Sequence, residues 1–379
     1  MKDMEITKDI KCSGCGVLIQ TKDKEKEGFV PEHVVLAHDE SKPIYCQRCF
    51  RIRNYQEYAS NDLSGEDYIK VISQINTKDS LIVLIVDIFD FSGSFLPNIK
   101  RLTGQNDVIL AANKVDLLPS SVNKEKILSW VNELCEDEGL QVLDSILISS
   151  KKNIYIDELL ELIKKHKKNR DVYIVGSSNV GKSKLVNQII KRLSGVEKDV
   201  LTVSYAPNTT LNFVGFPLED GTTIYDTPGV LNRHQYLRYL TRTSLKQSIP
   251  QKEIKAQIYQ LDPEQTLFIG GLARFDFLAG DKCDKSNVAL YFSNALPIHR
   301  TKLENADRLF EEKRYTLLTP PYSPDEALPR FVKTDFHMRG TGKFDIVISG
   351  LGFICVRAPF HIVVHAPVMV GVYLRKAII

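Results

Sequence analysis

The sequence predicts an α/β fold: a mostly parallel sheet with helices on both faces, preceded by a small cysteine-bearing domain and followed by an α+β domain. Three observations carry this prediction. Residues 80–87 (SLIVLIVD) and 107–112 (DVILAA) are near-continuous apolar runs of strand length, as in strands covered on both faces. Residues 171–185 (DVYIVGSSNVGKSKL) read as strand, glycine-bounded loop and amphipathic helix in the order G-x-x-x-x-G-K-[ST]. Beyond residue 265, short apolar runs (266–272, 288–292, 344–348, 352–357, 370–374) are separated by turns, with one helical stretch near 302–310, a pattern of antiparallel strands. The expected domains are 1–57, 58–235 and 236–379.

A hydrophobic content of 43% and a charged content of 26% are ordinary for a soluble globular chain. No charged-then-apolar leader opens the sequence and no apolar run reaches about 18 residues, so neither a signal peptide nor a membrane span is expected and the location is taken as cytoplasmic. The net charge of +3 conceals an asymmetry. Residues 231–379 hold 21 Lys and Arg against 14 Asp and Glu, whereas residues 1–230 hold 29 against 33. The final segment is therefore the expected face for nucleic acid or an acidic partner, a solvated basic surface being the alternative.

Four of the seven cysteines form two C-x-x-C pairs, Cys12 with Cys15 and Cys46 with Cys49. Two such knuckles can bring four thiolates to tetrahedral distance, which suits a structural zinc ion with no open catalytic position. A disulfide or redox role is the alternative, disfavoured in a reducing compartment. The intervening segment (TKDKEKEG) reads as too polar for a core, so metal binding is expected to contribute much of its folding energy. Cys135, Cys283 and Cys355 are isolated and read as buried small side chains. Around Cys49, Arg48, Arg51 and Arg53 interleave with Phe50, Tyr55 and Tyr58, which suits RNA contact or packing on the next domain.

The chemistry of a phosphate loop explains the spacing at 176–183. Successive backbone N–H groups at a helix N-terminus form a concave anion site, and glycine lets the main chain approach phosphate oxygens. Gly176 opens this loop, Ser178, Asn179, Val180 and Gly181 continue it, and Lys182, Ser183 and Lys184 begin the helix. Lys182 adds charge against the β and γ phosphates, and Ser183 offers a hydroxyl to magnesium. A glycine turn with a chance G-K-S is the alternative.

Residues 107–112 run directly into Asn113, Lys114, Val115 and Asp116, the N-K-x-D pattern. Asp116 can accept from both the ring imino hydrogen and the exocyclic amine of guanine, whereas adenine would leave the carboxylate unpaired. Asn113 tethers the loop, and the stem of Lys114 can cover the base. A helix (122–138) and a strand (142–148) lead to Ser149, Ser150 and Lys151, placed to offer a backbone N–H to the guanine carbonyl. A plain Ser/Lys turn is the alternative there. A further helix (154–168) returns the chain to the phosphate-loop strand.

Past that loop, Thr209 and Thr210 lie in the segment 196–211, where a threonine can coordinate magnesium when the γ phosphate is present. Thr210 is the first choice. Two strands (211–217 and 222–225) join across Glu219, Asp220 and Gly221, and the second delivers Asp226, Thr227, Pro228 and Gly229. In this D-x-x-G pattern Asp226 holds magnesium and the Gly229 N–H faces the γ phosphate. All five guanine-nucleotide elements are present, but the base-reading pair precedes the phosphate loop. A circular permutation, in which old termini are joined and new ones opened elsewhere, accounts for that order.

With its N-terminal cysteine knuckles, permuted motifs and separate C-terminal domain, the chain resembles the YqeH family of circularly permuted GTPases over essentially its full length. The resemblance implies a P-loop GTPase domain and assembly of the bacterial small (30S) ribosomal subunit, with 16S rRNA as partner. It implies GTP or GDP, magnesium and structural zinc as bound groups, and neither membrane nor DNA; a monomer is expected. Lys182, Thr210 and Gly229 are the expected catalytic residues. Asn179 occupies the loop position that suits a potassium ion in potassium-stimulated GTPases, an Asn that only shapes the turn being the alternative.

Val230 follows D-T-P-G where Ras-like proteins carry the glutamine that orients water, so intrinsic hydrolysis is expected to be slow. That departure keeps open a scaffold that uses GTP for order with negligible turnover. A translation or RNA-modification GTPase is a third reading, although His361 and His365 show no partnered nucleophile. Arg238, Arg242 and Lys246 recur every four residues and are expected on one helix face. Arg274, Phe275, Phe277, Arg300, Arg314 and Tyr315 are assigned mainly to core or rim.

Overall fold

In the structure, a computed structural model, the described residues are 10–13, 17–24, 26, 28–36, 38–39, 44–47, 62–63, 75–96, 99–194, 204–205, 214–230, 236, 239–279, 285–326 and 328–379. The chain forms two compact units, each assembled from separate stretches. The first comprises Met1–Val86, Leu96–Asn113 and Asn132–Leu231, and the second Asp87–Phe95, Lys114–Val131 and Asn232–Ile379.

The first unit opens with helix α1 (Glu32–Leu36) and the two-residue strand β1 (Asp62–Leu63). Its main sheet begins with β2 (Ser80–Asp87), in which every residue is buried, as a strand with eight consecutive non-alternating positions requires. Along the chain, the short helix α2 (Phe91–Ser94), which belongs to the second unit, and α3 (Ile99–Thr103) precede β3 (Asp107–Asn113), and α4 (Lys124–Asp137), whose residues up to Val131 belong to the second unit, precedes β4 (Asp144–Leu147). Then follow α5 (Ile156–Lys167), β5 (Asp171–Gly176), α6 (Lys182–Ser194), β6 (Ser204–Tyr205), β7 (Val214–Pro217), β8 (Thr223–Asp226) and β9 (Gly229–Val230). Seven strands form one sheet in the order β4-β3-β2-β5-β8-β7-β6. β5 lies between β2 and β8, parallel to both, while β7 is antiparallel to β8 and β6. The phosphate-loop strand is therefore central, with three strands on either side.

Leu81, Val83 and Ile85 of β2, Val172 and Ile174 of β5, and Leu185 and Ile189 of α6 share one buried cluster. That cluster also takes in Ile19, Val30, Val35 and Ile44, each buried. This corrects the expectation that the segment between the cysteine pairs is too polar for a core. Bridges from Lys11 to Leu18 and from Gln20 to Phe29 fold the segment, and it buries Ile19, Val30, Val35 and Ile44 while Leu18, Val34 and Leu36 stay exposed.

The second unit carries α7 (Arg242–Ser248), β10 (Gln257–Leu261), β11 (Gln265–Ile269), β12 (Ala273–Ala279), β13 (Ser286–Phe292), β14 (Ile298–Lys302), α8 (Leu303–Lys313), β15 (Phe331–Ile348), β16 (Gly352–Pro367) and β17 (Val372–Lys376). The strands form an eight-stranded antiparallel sheet ordered β10-β13-β16-β12-β11-β14, with β15 against β16 and β17. β15 and β16 run 18 and 16 residues, far beyond the short apolar runs 344–348 and 352–357. The extra length comes from half-buried alternation, as in 331–339, where Lys333, Asp335, His337 and Arg339 are exposed and every second residue lies partly covered.

One expectation needs correction here. Thr241 caps α7 by accepting from the Ser244 N–H, so the helix starts at Arg242 and holds only Arg242 and Lys246 of the basic series; Arg238 lies outside the described residues. Arg274, Phe275 and Phe277 lie in the core, as expected: Arg274 is buried, bonded to Asp276 at 2.7 Å and paired with Asp307, and Phe275 and Phe277 are fully buried. His365 meets Asp276 at 2.9 Å and His361 meets Asp335 at 3.2 Å, as expected of histidines that hydrogen-bond.

Candidate functional site

β5 is buried from Val172 onward, and its last residue, Gly176, turns the chain where no side chain fits: a Cβ there would lie 2.7 Å from the Ile85 carbonyl oxygen of β2. Asn179 follows with φ +64°, a conformation that Asn tolerates better than most residues. Gly181 has φ +95°, and a Cβ there would stand 2.2 Å from Asn113 Nδ2. Glycine is thus required at 181 twice over, by backbone conformation and by close approach. The Leu185 N–H bonds the Gly181 carbonyl at 3.0 Å, so α6 begins directly from the loop. Ser177 and Ser178 are buried, and neither hydroxyl has a hydrogen-bond partner among the described residues. Buried hydroxyls without partners, beside a helix N-terminus, fit an anion with several acceptor oxygens.

Asn113, 1% exposed, ties this loop to a second one. Its Nδ2 donates to the Val180 carbonyl at 2.6 Å and to Ser150 Oγ at 2.9 Å, and its Oδ1 accepts from the Ser150 N–H at 2.9 Å. Ser149 is buried and pairs with Ile154 across the turn, its Oγ accepting from the Lys152 N–H at 2.9 Å. Lys151, Lys152 and Asn153 stand exposed at the tip. Three of the sequence-predicted motifs, Asn113, the 149–151 turn and the 176–181 loop, are thereby in direct contact.

The fourth joins them through charge. Lys182 Nζ donates to Asp226 Oδ1 at 3.0 Å, with both side chains buried. Each neutralises the other, which is what keeps two charges inside a protein at acceptable cost. Asp226 stands at the end of β8 in register with Ile174, and Thr227 anchors the following turn by donating its hydroxyl to the Ile174 carbonyl at 2.8 Å. Gly229 is buried and begins β9, which pairs in parallel with β1. Ser183 is partly exposed and Lys184 exposed at the first turn of α6.

Lys114 and Asp116 follow Asn113 in the chain and open the second unit's share of the motif. Lys114 has φ +71°, a left-handed backbone for a non-glycine residue. Its ammonium bonds Asp87 Oδ2 at 2.6 Å, which orients the stem. Asp116 sits in a short 3-10 turn (Val115–Leu117), half-buried between Val115 and Leu117.

Thr209, Thr210, Cys15 and Cys49 lie outside the described residues. Cys12 and Cys46 are buried next to one another, the Cys46 N–H donating to Cys12 Sγ at 3.2 Å. Among the described residues no group of three His, Cys, Asp or Glu side chains is arranged to hold a metal. Sequence reading overlooked Ser177, Thr227, Asp87 and Asp90. Only Asp87 carried a signal, a carboxylate closing an otherwise apolar strand.

Residues 285–378 match the family described as YqeH-like, C-terminal, and residues 171–268 match the family described as 50S ribosome-binding GTPase. The uncharacterized protein YqeH of Bacillus subtilis is 42% identical over 370 residues, covering 97% of this chain and 99% of that one. NO-associated protein 1, chloroplastic/mitochondrial, of Arabidopsis thaliana is 29% identical, covering 97% and 76%. Among solved structures, GNP-bound YlqF from T. maritima aligns with a TM-score of 0.32 at 23% identity, over 49% of this chain and 66% of that chain.

Proposed function

This chain belongs to the YqeH family, and from that premise we propose that it binds and hydrolyses GTP as a factor for assembly of the small ribosomal subunit, docking on 16S rRNA with GTP and leaving with GDP. The observation that carries the nucleotide reading is the Asn113 clamp, a single buried amide that holds the phosphate-loop carbonyl of Val180 and the backbone of Ser150.

In this reading the backbone N–H groups of 178–184 and the hydroxyls of Ser177 and Ser178 bind the phosphates, and Lys182 leaves Asp226 to meet them. Asp116 accepts from the guanine edge, Lys114 covers the base, and the Ser150 region meets the guanine carbonyl. Ser183, Asp226 and Thr210 would hold magnesium, which when bound neutralises charge on the β and γ phosphates. The buried Lys182–Asp226 pair and the partnerless serine hydroxyls fit that arrangement. The Gly229 N–H faces the γ phosphate. Val230 offers no group to orient water, so turnover by the isolated protein is slow. Cys12, Cys15, Cys46 and Cys49 form a structural zinc site in this reading, supported by the buried Cys12 and Cys46 and the N–H donated to Cys12 Sγ. Potassium beside Asn179 is the matching proposal for the loop; the left-handed backbone of Asn179 equally suits a turn-shaping role.

The partner assignment follows the family resemblance, while the description matched by 171–268 names the 50S ribosome. Co-sedimentation with purified small and large subunits, with GTP, GDP or no nucleotide, separates the two. Binding to small subunits that is strongest with GTP supports the proposal, and a preference for large subunits refutes it. Val230 favours a second reading, a GTP-ordered scaffold. Single-turnover hydrolysis with small subunits, in potassium and in sodium, decides it: no turnover in any condition establishes the scaffold.

A further inference from the structure

Lys114 adopts a left-handed backbone that few non-glycine residues hold without support from their surroundings. Its support is Asp87, and the hydrogen bonds that hold Asp87 continue away from the motif. The Asp87 N–H donates to Ser94 Oγ at 2.8 Å, and Ser94 is fully buried in α2. The helix is capped by Asp90, whose Oδ1 accepts from the Gly93 N–H at 3.2 Å. The other oxygen of Asp90 turns to the eight-stranded sheet: Oδ2 accepts from Ser349 Oγ at 3.0 Å and from the Gly350 N–H at 2.7 Å. Ser349 and Gly350 form the turn between β15 and β16. The path from Lys114 to that turn is thus unbroken, and Asp87, Asp90, Ser94 and Ser349 are all buried along it.

Two features show that the geometry is tight. Gly93 has an ordinary backbone, yet a Cβ on it would lie 2.1 Å from Ser349 Oγ and 2.4 Å from either Asp90 oxygen. Glycine is needed at 93 only because this contact occupies the space. Beneath it lies Arg375, buried against Trp130 and Phe353 at 4.9 and 5.0 Å, bonded to Asp345 and attracted by Asp90 and Asp87. Its charge offsets the burial of the two carboxylates.

We propose that Asp90 is a positioning residue for the guanine-reading motif: anchored by the Ser349–Gly350 turn, it fixes Asp87 through α2 and so holds Lys114 in place. The proposal rests on the reading of Asn113–Asp116 as the guanine motif. It makes the β15–β16 turn a regulator of guanine-nucleotide affinity, since any partner that shifts this turn shifts Lys114. By reciprocity, nucleotide binding stabilises the turn.

The test uses the full-length protein and the variants Gly93→Ala, which wedges the contact apart, and Ser349→Ala, which removes one donor. The off-rate of a fluorescent GDP analogue should rise about tenfold in Gly93→Ala, the factor expected for one lost hydrogen bond to a charged group, and by less in Ser349→Ala. KM for GTP should rise with it while kcat holds. In the unsubstituted protein, GDP should slow hydrogen exchange at the Gly350 amide, an effect that a merely structural role for the contact would not produce. Should Gly93→Ala fail to fold, Ser349→Ala and the exchange measurement carry the test. Asp116→Asn, assayed for xanthine nucleotides, separates the two levels of argument. A gain of xanthine binding there, with GDP off-rates and Gly350 exchange unmoved, overturns this proposal alone. Failure of that switch overturns the guanine reading beneath it.

Discussion

Asn113 Nδ2 donates to the Val180 carbonyl at 2.6 Å, so the end of strand β3 is bonded directly to a loop 67 residues further along the chain. The same side chain serves Ser150 with both its oxygen and its nitrogen. Removing it would orphan the Val180 carbonyl and the Ser150 N–H in a buried setting. Asn113→Ala should therefore lower stability by about 3 kcal/mol, the sum expected for two such groups, and weaken GDP binding with it. Urea unfolding at neutral pH measures the first effect and fluorescent-nucleotide titration the second; a change below about 1 kcal/mol would mean that the clamp adds little.

Lys182 and Asp226 are each other's counter-ions in the interior. Lys182→Ala removes the counter-ion of a buried carboxylate and should cost about 3–5 kcal/mol. It should also reduce single-turnover GTP hydrolysis by at least about 100-fold, since a charge aimed at the phosphates is lost. Adding Asp226→Asn should restore much of the stability and none of the turnover. Hydrolysis that persists in Lys182→Ala would remove this residue from phosphate binding.

Asp116 is assigned two donors of the guanine edge, and an amide reverses half of that pattern. Asp116→Asn should weaken GTP binding at least about 100-fold and raise xanthine nucleotide binding, because a site built for one donor pattern rejects the other. Competition of GTP and XTP against a fluorescent analogue reads both. Unaltered GTP preference would detach Asp116 from base recognition.

The turn between β7 and β8 supplies a pH test. Hydrogen bonds from the Lys167 ammonium and from Thr222 lower the Asp220 carboxyl from 3.8 to about 2. A carboxyl depressed in the folded state stabilises above its unfolded value and loses that contribution as pH falls through the folded one. The difference in unfolding free energy between the unsubstituted protein and Asp220→Asn should thus be constant above about pH 5 and shrink between about pH 4 and pH 2. Denaturant titrations across that range check it, and a difference independent of pH would show that Asp220 acts only through turn geometry.

Local pattern was enough for much of this molecule. Six apolar, largely β-branched residues in a row between Ser80 and Asp87 suit a strand covered on both sides, and β2 spans Ser80–Asp87 as read. The glycines of 176–181 and the G-K-S that follows announce loop and helix because backbone conformation is dictated by neighbours along the chain. Other features were out of reach of such reasoning. Burial of Ile19, Val30, Val35 and Ile44 in the first unit's core, and the extension of β15 through a polar stretch, depend on what covers each face. Periodicity does not report that.

The residue types proposed to bind phosphate and read guanine are written in the linear order of the chain, because spacing within one loop decides which backbone groups point together. The partners of those residues are not. Asp87 meets Lys114 from 27 positions away, Lys182 meets Asp226 from 44, and Asp90 meets Gly350 from 260. A carboxylate takes whichever donor the packed strands and turns bring to it, and only the closed tertiary fold brings these together.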